Sequence, residues 1–315
     1  MFILLYFSAK YFISKELILI KNSNILLKPK YDVVFQSLFS DKNKKETGYL
    51  ISAILDKNVE VIKVNTEFSN IREFPEEKIG RLDLLAETSE NELVHIELQL
   101  VDKKNTIDRL LYSMCENLSK QLNRGDDYKK IRKTITIALL DFELDELKDI
   151  DEMHSAWKWM CDEKVLTNIQ ELHIIQMTKA KYEYEKNKNN ILAQWILFIL
   201  DPNNKEVKSI MSDNNEIKET TKKLENISED EDVRKRAEIL ERWELEEQWG
   251  KASLIEYGEK QGIKKGIEKG ELQGRQDEKI KIAKNLISLG MKPTDISKAT
   301  NLTLKEIESL VNNSQ

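Results

Sequence analysis

Cysteine, histidine and proline are scarce in this 315-residue chain, which contains two, three and four of them. Cys115 and Cys161 lie far apart and outside any C-x-x-C pair, and the histidines lack the spacing of metal ligands. Neither a disulfide framework nor a structural zinc site is therefore expected. Thiol-poor chains of this kind are typical of the cytoplasm, where we expect this protein. Because no run of about 18 apolar residues occurs, we expect no membrane-spanning helix.

An excess of positive charge is also absent, because 50 basic residues stand against 56 acidic ones and the net charge is −6. Bulk charge of this sign does not indicate a nucleic-acid-binding protein, so any DNA-binding surface must be local. With 40% hydrophobic and 34% charged residues, the chain can build a core and is neither collagen-like nor wholly disordered.

The chain divides into three parts by composition. Residues 1–24 begin with an apolar run but lack the basic segment of a signal peptide, so we expect an extension outside the fold, with a cleaved leader as the alternative. Residues 25–215 are expected to form the main domain. Residues 216–315 are rich in charged helix formers and are expected to form a helical tail.

Hydrophobic periodicity predicts a mixed α/β core in the order α-β-β-β-α-β. The predicted elements are helices at 32–39 and 47–55, strands at 59–68, 81–87 and 93–101, a helix at 106–123 and a strand at 134–140. Residues 150–200, which contain Trp157, Trp159 and Trp195, are expected to add helices that complete the core.

Glycine is rare as well, and half of the ten glycines recur at every fourth position in the tail. They are Gly258, Gly262, Gly266, Gly270 and Gly274. Glycine inside a helix costs roughly 1 kcal/mol against alanine, so free helix formation does not select this pattern. It favours a helix used for oligomerisation or as a spacer, and a linker is the alternative.

Three short helices are predicted after the repeat, at 280–289, 294–299 and 303–311. Thr303 and Glu306 form a capping box at the start of the last one. The spacing is that of a helix-turn-helix, but Glu306 and Glu308 make a poor face for phosphates. DNA binding and plain helix packing therefore both stay open.

Polar side chains share one face of the predicted hairpin formed by the second and third strands. Alternation places His95, Glu97 and Gln99 on one face, and a turn centred on Glu90 places Asp83 opposite Glu97, with Cβ atoms about 5 Å apart. Like charges in this position destabilise a sheet unless they are solvated or share a proton or a cation. The pair is therefore either solvated surface or, with a main-chain carbonyl, an oxygen-rich site for Mg²⁺ or Mn²⁺.

Several stretches carry a resemblance to a known family. They are residues 28–39 (KPKYDVVFQSLF), 80–86 (GRLDLLA), 95–99 (HIELQ) and 121–128 (QLNRGDDY), together with Arg109 and Tyr112 on the helix between the last two. In this order they resemble the PD-(D/E)XK nuclease superfamily, and more narrowly its bacterial recombination-promoting nucleases and transposases. The resemblance covers about residues 26–145 strongly and the tail loosely. It implies a restriction-endonuclease-like fold and metal-dependent cleavage of DNA.

The resemblance also implies roles for residues of the hairpin. Asp83 and Glu97 would hold Mg²⁺ or Mn²⁺ together with the main-chain carbonyl of Leu98. Gln99 stands where the wider superfamily has lysine, although Glu-x-Gln is common in that branch, and it would orient a water. His95 is expected to be a hydrogen-bonded neighbour of the site.

Further candidate residues flank the hairpin. Lys103 or Lys104 would supply a cation, and Arg109 and Tyr112 would contact phosphate, with packing of that helix over the sheet as the alternative. Asp32 and Glu46 are candidate additional acids of the site, although acids in such positions are more often helix caps or solvated charges than metal ligands. A basic groove would serve any DNA-binding role. It would contain Lys103, Lys104, Arg109, Lys129, Lys130, Arg132 and Lys133.

The sequence thus predicts a cytoplasmic, magnesium-dependent DNA endonuclease with Asp83, Glu97 and Gln99 as catalytic residues and a tail that makes homo-oligomers. The alternative is a catalytically inactive DNA-binding or oligomeric scaffold with the same fold. The intact acids favour the enzyme, whereas the negative net charge and the neutral Gln99 favour the scaffold.

Overall fold

A computed structural model describes residues 25–66, 81–102 and 104–312 and divides the chain into two compact units. The first unit ends at Trp243 and the second begins at Glu244. Among the residues described, no helix is both long and apolar enough to cross a membrane. The expected domain division near residue 215 stays a prediction, and residues 1–24 lie outside the description.

The first unit combines a sheet with helices. Its strands are β1 (Val61–Thr66), β2 (Arg81–Thr88), β3 (Leu93–Gln99), β4 (Thr134–Leu140), β5 (His154–Cys161) and β6 (Lys164–Gln176). Its helices are α1 (Asp32–Leu38), α2 (Lys44–Leu55), α3 (Thr106–Ser119), α4 (Ala180–Lys186), α5 (Ile191–Leu200), α6 (Lys205–Asp213), α7 (Asn215–Glu229) and the start of α8 (Glu231–Ser288). The predicted α-β-β-β-α-β order is confirmed.

The six strands form one mixed sheet in the order β1-β2-β3-β4-β6-β5. β1, β2 and β3 pair antiparallel, β3, β4 and β6 pair parallel, and β5 closes the edge antiparallel to β6. The parallel step from β3 to β4 requires a crossover, which contains α3. β3 therefore lies in the middle of the sheet, paired antiparallel with β2 on one side and parallel with β4 on the other.

Helices pack against both faces of the sheet. One face presents Ile96 and Leu98 to the main core, which also contains Phe35 and Leu50 from the leading helices and Trp195 from α5. On the other face, a smaller cluster joins side chains of α3 to those of β4. Its buried members on these two elements are Leu110, Met114, Ala138 and Leu140.

Residues 154–176 form the β5–β6 hairpin, so the prediction of helices there was wrong. All seven residues of β4 are buried, and a strand in that position needs a hydrogen-bonding neighbour on each side. β6 supplies the second neighbour. Trp157 and Trp159 lie on the edge strand and are 45% and 44% exposed, whereas Trp195 is fully buried in α5.

The glycine repeat lies within the uninterrupted helix α8, as the helical interpretation predicted. A Cβ atom added at any of its five glycines would meet no atom within 4 Å. Contacts within the described part of the chain therefore do not require glycine at these positions.

The end of the second unit is a small three-helix cluster formed by the end of α8, α9 (Pro293–Thr300) and α10 (Leu304–Asn312). Ala283, Ile296, Leu302 and Ile307 are its buried members. The predicted capping box is present, because the Thr303 N–H donates to Glu306 Oε2 over 2.7 Å and the Glu306 N–H donates to Thr303 Oγ1 over 3.3 Å.

Candidate active site

The β2–β3 register brings the two candidate acids to facing positions. Asp83 pairs directly with Glu97, which confirms the register that a turn centred on Glu90 predicts. The backbone of Asp83 is described, whereas its side chain lies outside the description. Opposed residues in an antiparallel pair have Cβ atoms about 5 Å apart, so two acidic residues occupy neighbouring positions in this part of the sheet.

The carboxyl group of Glu97 is buried rather than solvated, with 1% of the residue exposed. Gln99 Nε2 donates a hydrogen bond to Glu97 Oε2 over 3.1 Å, and His95 Nδ1 lies 3.9 Å from Glu97 Oε1. A carboxylate at this depth requires hydrogen bonds or a positive charge to be tolerated. Of the two interpretations of the acid pair, solvated surface does not describe Glu97.

Arg109 reaches the same polar face from helix α3. Its Nη2 donates to Gln99 Oε1 over 2.7 Å, which continues the chain of hydrogen bonds from Glu97 through Gln99 to the helix. The Nε atom of Arg109 is buried and has no hydrogen-bond partner among the residues described. The structure thus places Arg109 against Gln99, at the centre of the candidate site.

Helix α3 also supplies a hydrogen-bond partner to His95 on β3. Asn117 Nδ2 lies 3.2 Å from His95 Nδ1, so His95 is the hydrogen-bonded neighbour that the sequence suggested. Arg109 and Asn117 lie eight residues apart, on either side of Leu110 and Met114, which pack on the sheet. One amphipathic helix therefore supplies partners to two polar residues of β3.

Other sequence-predicted contacts lie away from these hydrogen bonds. Tyr112 is 72% exposed on α3. Lys104 is exposed, with φ near 64°, where its backbone N–H donates to Asp102 Oδ1 over 2.9 Å. Lys103 lies outside the described residues. The structure therefore connects Arg109 to Glu97 through Gln99, whereas among the described residues no such connection is seen for Tyr112 or Lys104.

In the part of the chain that the structure describes, three of the seven residues of the expected basic groove are paired with acids. Lys130 Nζ lies 2.7 Å from Asp126 Oδ1, and Arg132 Nη1 lies 3.1 Å from Glu87 Oε2. Lys133 bridges two further acids, with Nζ 3.2 Å from Glu92 Oε1 and 3.1 Å from Glu171 Oε1. These pairs reduce the positive potential that the sequence suggested for this surface.

The two extra acids are both partly or fully withdrawn from solvent. Burial raises the pKa of Asp32, although the backbone N–H of Val33 and the charge of Arg236 oppose that shift. Glu46 is 5% exposed in the first turn of α2. Neither Asp32 nor Glu46 is therefore a fully solvated charge.

Sequence reasoning missed an ion pair beside the end of β3. Lys30 Nζ lies 3.1 Å from Asp141 Oδ2, and both side chains are largely buried. The backbone N–H of Asp141 donates to the carbonyl of Gln99 over 2.9 Å. The signal was present, because Asp141 follows β4 directly and Lys30 lies in a stretch already singled out.

The donor atoms at the hairpin suit a hard divalent cation. Asp83 and Glu97 occupy facing positions next to the Leu98 carbonyl, and these residues offer the oxygen donors that Mg²⁺ prefers. Among the side chains that the structure describes, no three His, Cys, Asp or Glu residues form a ligand group. A site with few protein ligands is typical of Mg²⁺, which keeps several waters.

The α-β-β-β-α-β core with facing acids on β2 and β3 defines the class of restriction-endonuclease-like proteins. A family model described as PD-(D/E)XK nuclease family transposase matches residues 29–257, and the chain belongs to that family. The match covers the whole sheet and ends one residue before the first glycine of the repeat. No curated protein and no solved structure matches the chain.

Proposed function

We propose that this protein is a metal-dependent DNA endonuclease of the transposase or recombination-promoting kind, with Asp83, Glu97 and Gln99 as its catalytic residues. The observation that carries the proposal is the facing register of Asp83 and Glu97, in which the Glu97 carboxyl group is buried and hydrogen-bonded to Gln99. Membership of a nuclease-like transposase family supports the same conclusion.

Each residue has a distinct role in this proposal. Asp83, Glu97 and the carbonyl of Leu98 would hold Mg²⁺ or Mn²⁺. The bound ion supplies an acidified water and a countercharge for the phosphate. Gln99 keeps the Glu97 carboxylate in place through its Nε2 donor. Because an amide carries no charge, Gln99 orients groups by hydrogen bonding only.

DNA is the proposed substrate, and the protein is proposed to act in the cytoplasm. Lys103, Lys104 and Tyr112 are proposed to contact the phosphate backbone of DNA. The two lysines precede α3 in the chain, and Tyr112 lies on its exposed surface. The tail from residue 216, with its glycine repeat, is proposed to make homo-oligomers. Among the residues that the structure describes, a Cβ atom at any of the five repeat glycines would meet no neighbour within 4 Å, which leaves this face of α8 open and supports the assignment.

A second candidate is a DNA-binding or oligomeric scaffold that keeps the fold without cleavage. The ion pairs of Lys130, Arg132 and Lys133 favour it, because they neutralise three cations that could otherwise contact a DNA backbone. Gln99 in place of a charged residue points the same way. The two candidates differ in one property, since only the enzyme needs a divalent metal.

The test is nicking of supercoiled plasmid by the purified protein with Mg²⁺, and separately with Mn²⁺. We expect cleavage that is lost with EDTA and in the Asp83→Ala variant. The matched control is Glu90→Gln, because Glu90 is an exposed acid in the turn of the same hairpin and should be dispensable. A folded wild-type protein that fails to cut with either metal would favour the scaffold.

A further inference from the structure

The side-chain amide of Gln99 connects Glu97 on the polar face of β3 to helix α3. Arg109 Nη2 donates to Gln99 Oε1 over 2.7 Å, and Gln99 Nε2 donates to Glu97 Oε2 over 3.1 Å. Gln99 is 2% exposed and Glu97 is 1% exposed, so the bond between them lies out of contact with bulk water, whereas the bond from Arg109 is partly buried. Hydrogen bonds to charged groups are stronger than neutral ones, and burial removes competition from solvent.

Chemistry decides which way the amide points. A guanidinium group has only donors and an ionised carboxylate has only acceptors, so a single orientation of the Gln99 amide satisfies both neighbours. Without Arg109, the amide can rotate and turn its carbonyl oxygen towards Glu97. The carboxylate then loses a donor and faces a second acceptor, which is costly at this depth.

The position of Arg109 is fixed by packing. The next residue, Leu110, is fully buried in the cluster that joins α3 to β4, and Met114 follows one turn later. Side chains held on a packed helix are oriented more exactly than those on a loop. The guanidinium group is therefore a permanent positive charge held near the buried acid, because arginine does not deprotonate in proteins.

We propose that Arg109 is a positioning residue of this site. It orients the Gln99 amide towards Glu97 and supplies a fixed positive charge beside these two buried side chains. The catalytic part of this inference rests on the proposed endonuclease function. It differs from a phosphate contact, because Arg109 acts through Gln99 and not on DNA. Gln99 and Arg109 are then a matched pair, since a lysine at position 99 would put two cations in contact.

The first test separates positioning from DNA binding by steady-state kinetics. We expect Arg109→Gln to lower kcat by about 10- to 100-fold, the usual effect of losing a residue that orients a metal ligand, with KM for DNA and its salt dependence unchanged. Arg109→Lys should recover part of kcat because it retains a charged donor. A raised KM with a shallower salt dependence and normal kcat would instead identify a phosphate contact and overturn the proposal.

Asp108→Asn is the matched control for Arg109→Gln. Asp108 is the preceding residue of α3, is exposed, and changes the charge by one unit when it is replaced. We expect its kcat and KM to equal those of the wild type. A loss of kcat in Asp108→Asn equal to that in Arg109→Gln would show that any charge change on α3 has the same effect, and would count against positioning.

The second test is a double-mutant cycle with Gln99→Lys. Positioning predicts that Gln99→Lys lowers kcat and the urea midpoint of unfolding, and that adding Arg109→Ala raises both again, because the contact between two cations is removed. Losses that simply add would overturn the proposal. The unfolding midpoints report on the matched pair even if the wild type does not cut DNA, so the failure of either proposal can be recognised separately.

Discussion

The two faces of strand β3 are buried to the same extent but have opposite chemistry. Val94, Ile96 and Leu98 are at most 2% exposed on one face, and His95, Glu97 and Gln99 are at most 6% exposed on the other. Burial of the apolar face stabilises the fold by roughly 25 cal/mol per Å² of area removed from water. Burial of the polar face destabilises the fold unless each of its polar groups finds a hydrogen-bond partner.

The difference between the faces lies in where the partners come from. Apolar side chains on one face need only volume and area, which many residues can provide. The polar residues need specific atoms, and Arg109 and Asn117 on α3 provide two of these contacts. Burial of these polar groups in the middle of the sheet therefore depends on partners from one helix, which agrees with the proposed site on this face.

Changing the polar face is expected to have the largest effect on activity. Glu97→Gln keeps the side-chain volume and removes the negative charge, so plasmid cleavage should fall to background. The free energy of unfolding of the metal-free protein should fall by about 1–3 kcal/mol, because the buried donor of Gln99 loses its charged acceptor. Plasmid nicking and urea unfolding measure the two effects. Normal cleavage by the variant would contradict the proposed role of Glu97.

Changing the apolar face is expected to have the opposite profile. Ile96→Ala removes a fully buried side chain from the main core and should lower the free energy of unfolding by about 2–5 kcal/mol. Ile62→Ala on β1 is the control, because Ile62 is 51% exposed and the cost should be well under 1 kcal/mol. Urea denaturation checks both, and equal costs would mean that burial does not distinguish the positions.

Acid is expected to lower the stability of the fold through a buried histidine, His173, on the apolar side of the sheet. In the sheet His173 lies beside Ile137, which pairs with Ile96. Burial, aided by the nearby His154, lowers the pKa of His173 from 6.5 to about 4, although Glu171 opposes the shift. The unfolded chain therefore takes up a proton between pH 6.5 and 4 that the folded protein does not.

Stability should accordingly fall as the pH drops from about 6.5 to 4, by roughly 2–3 kcal/mol from this residue. The remaining charged groups of the cluster are Glu171, Lys158 and Lys133, and burial also lowers the pKa of His154. Urea unfolding at several pH values measures the slope. His173→Gln should flatten it, and an unchanged slope in that variant would assign the pH dependence to other groups.

The smallest expected effect separates two kinds of glycine. A Cβ atom at Gly48 in α2 would lie 2.9 Å from the carbonyl oxygen of Val59, so Gly48→Ala should cost about 1–3 kcal/mol. Gly262→Ala in α8 meets no atom and should stabilise its helix by up to about 1 kcal/mol. Thermal unfolding compares the two, and a matching loss at Gly262 would point to a contact with another copy.

Much of the nuclease-like core was predictable from local patterns. Alternation in β3 and the position of Glu90 were sufficient to place Asp83 opposite Glu97, because register in a tight hairpin follows from its turn. The β5–β6 hairpin was not predicted, since its need arises from the buried edge of β4 and not from its own residues. The pairing of the basic residues also depends on acids up to 45 positions away.

The sequence by itself determined the α-β-β-β-α-β order of the core, the facing positions of Asp83 and Glu97, and the capping box, since each depends on residues close in the chain or joined by one turn. Only the tertiary structure decided that the acid pair is buried on the Glu97 side, that Arg109 contacts Gln99, and that Lys30 pairs with Asp141. The physical reason is that burial and side-chain hydrogen bonds depend on how α3 and the leading segment pack on the sheet. That packing is a property of the whole core, and periodicity along one strand does not contain it.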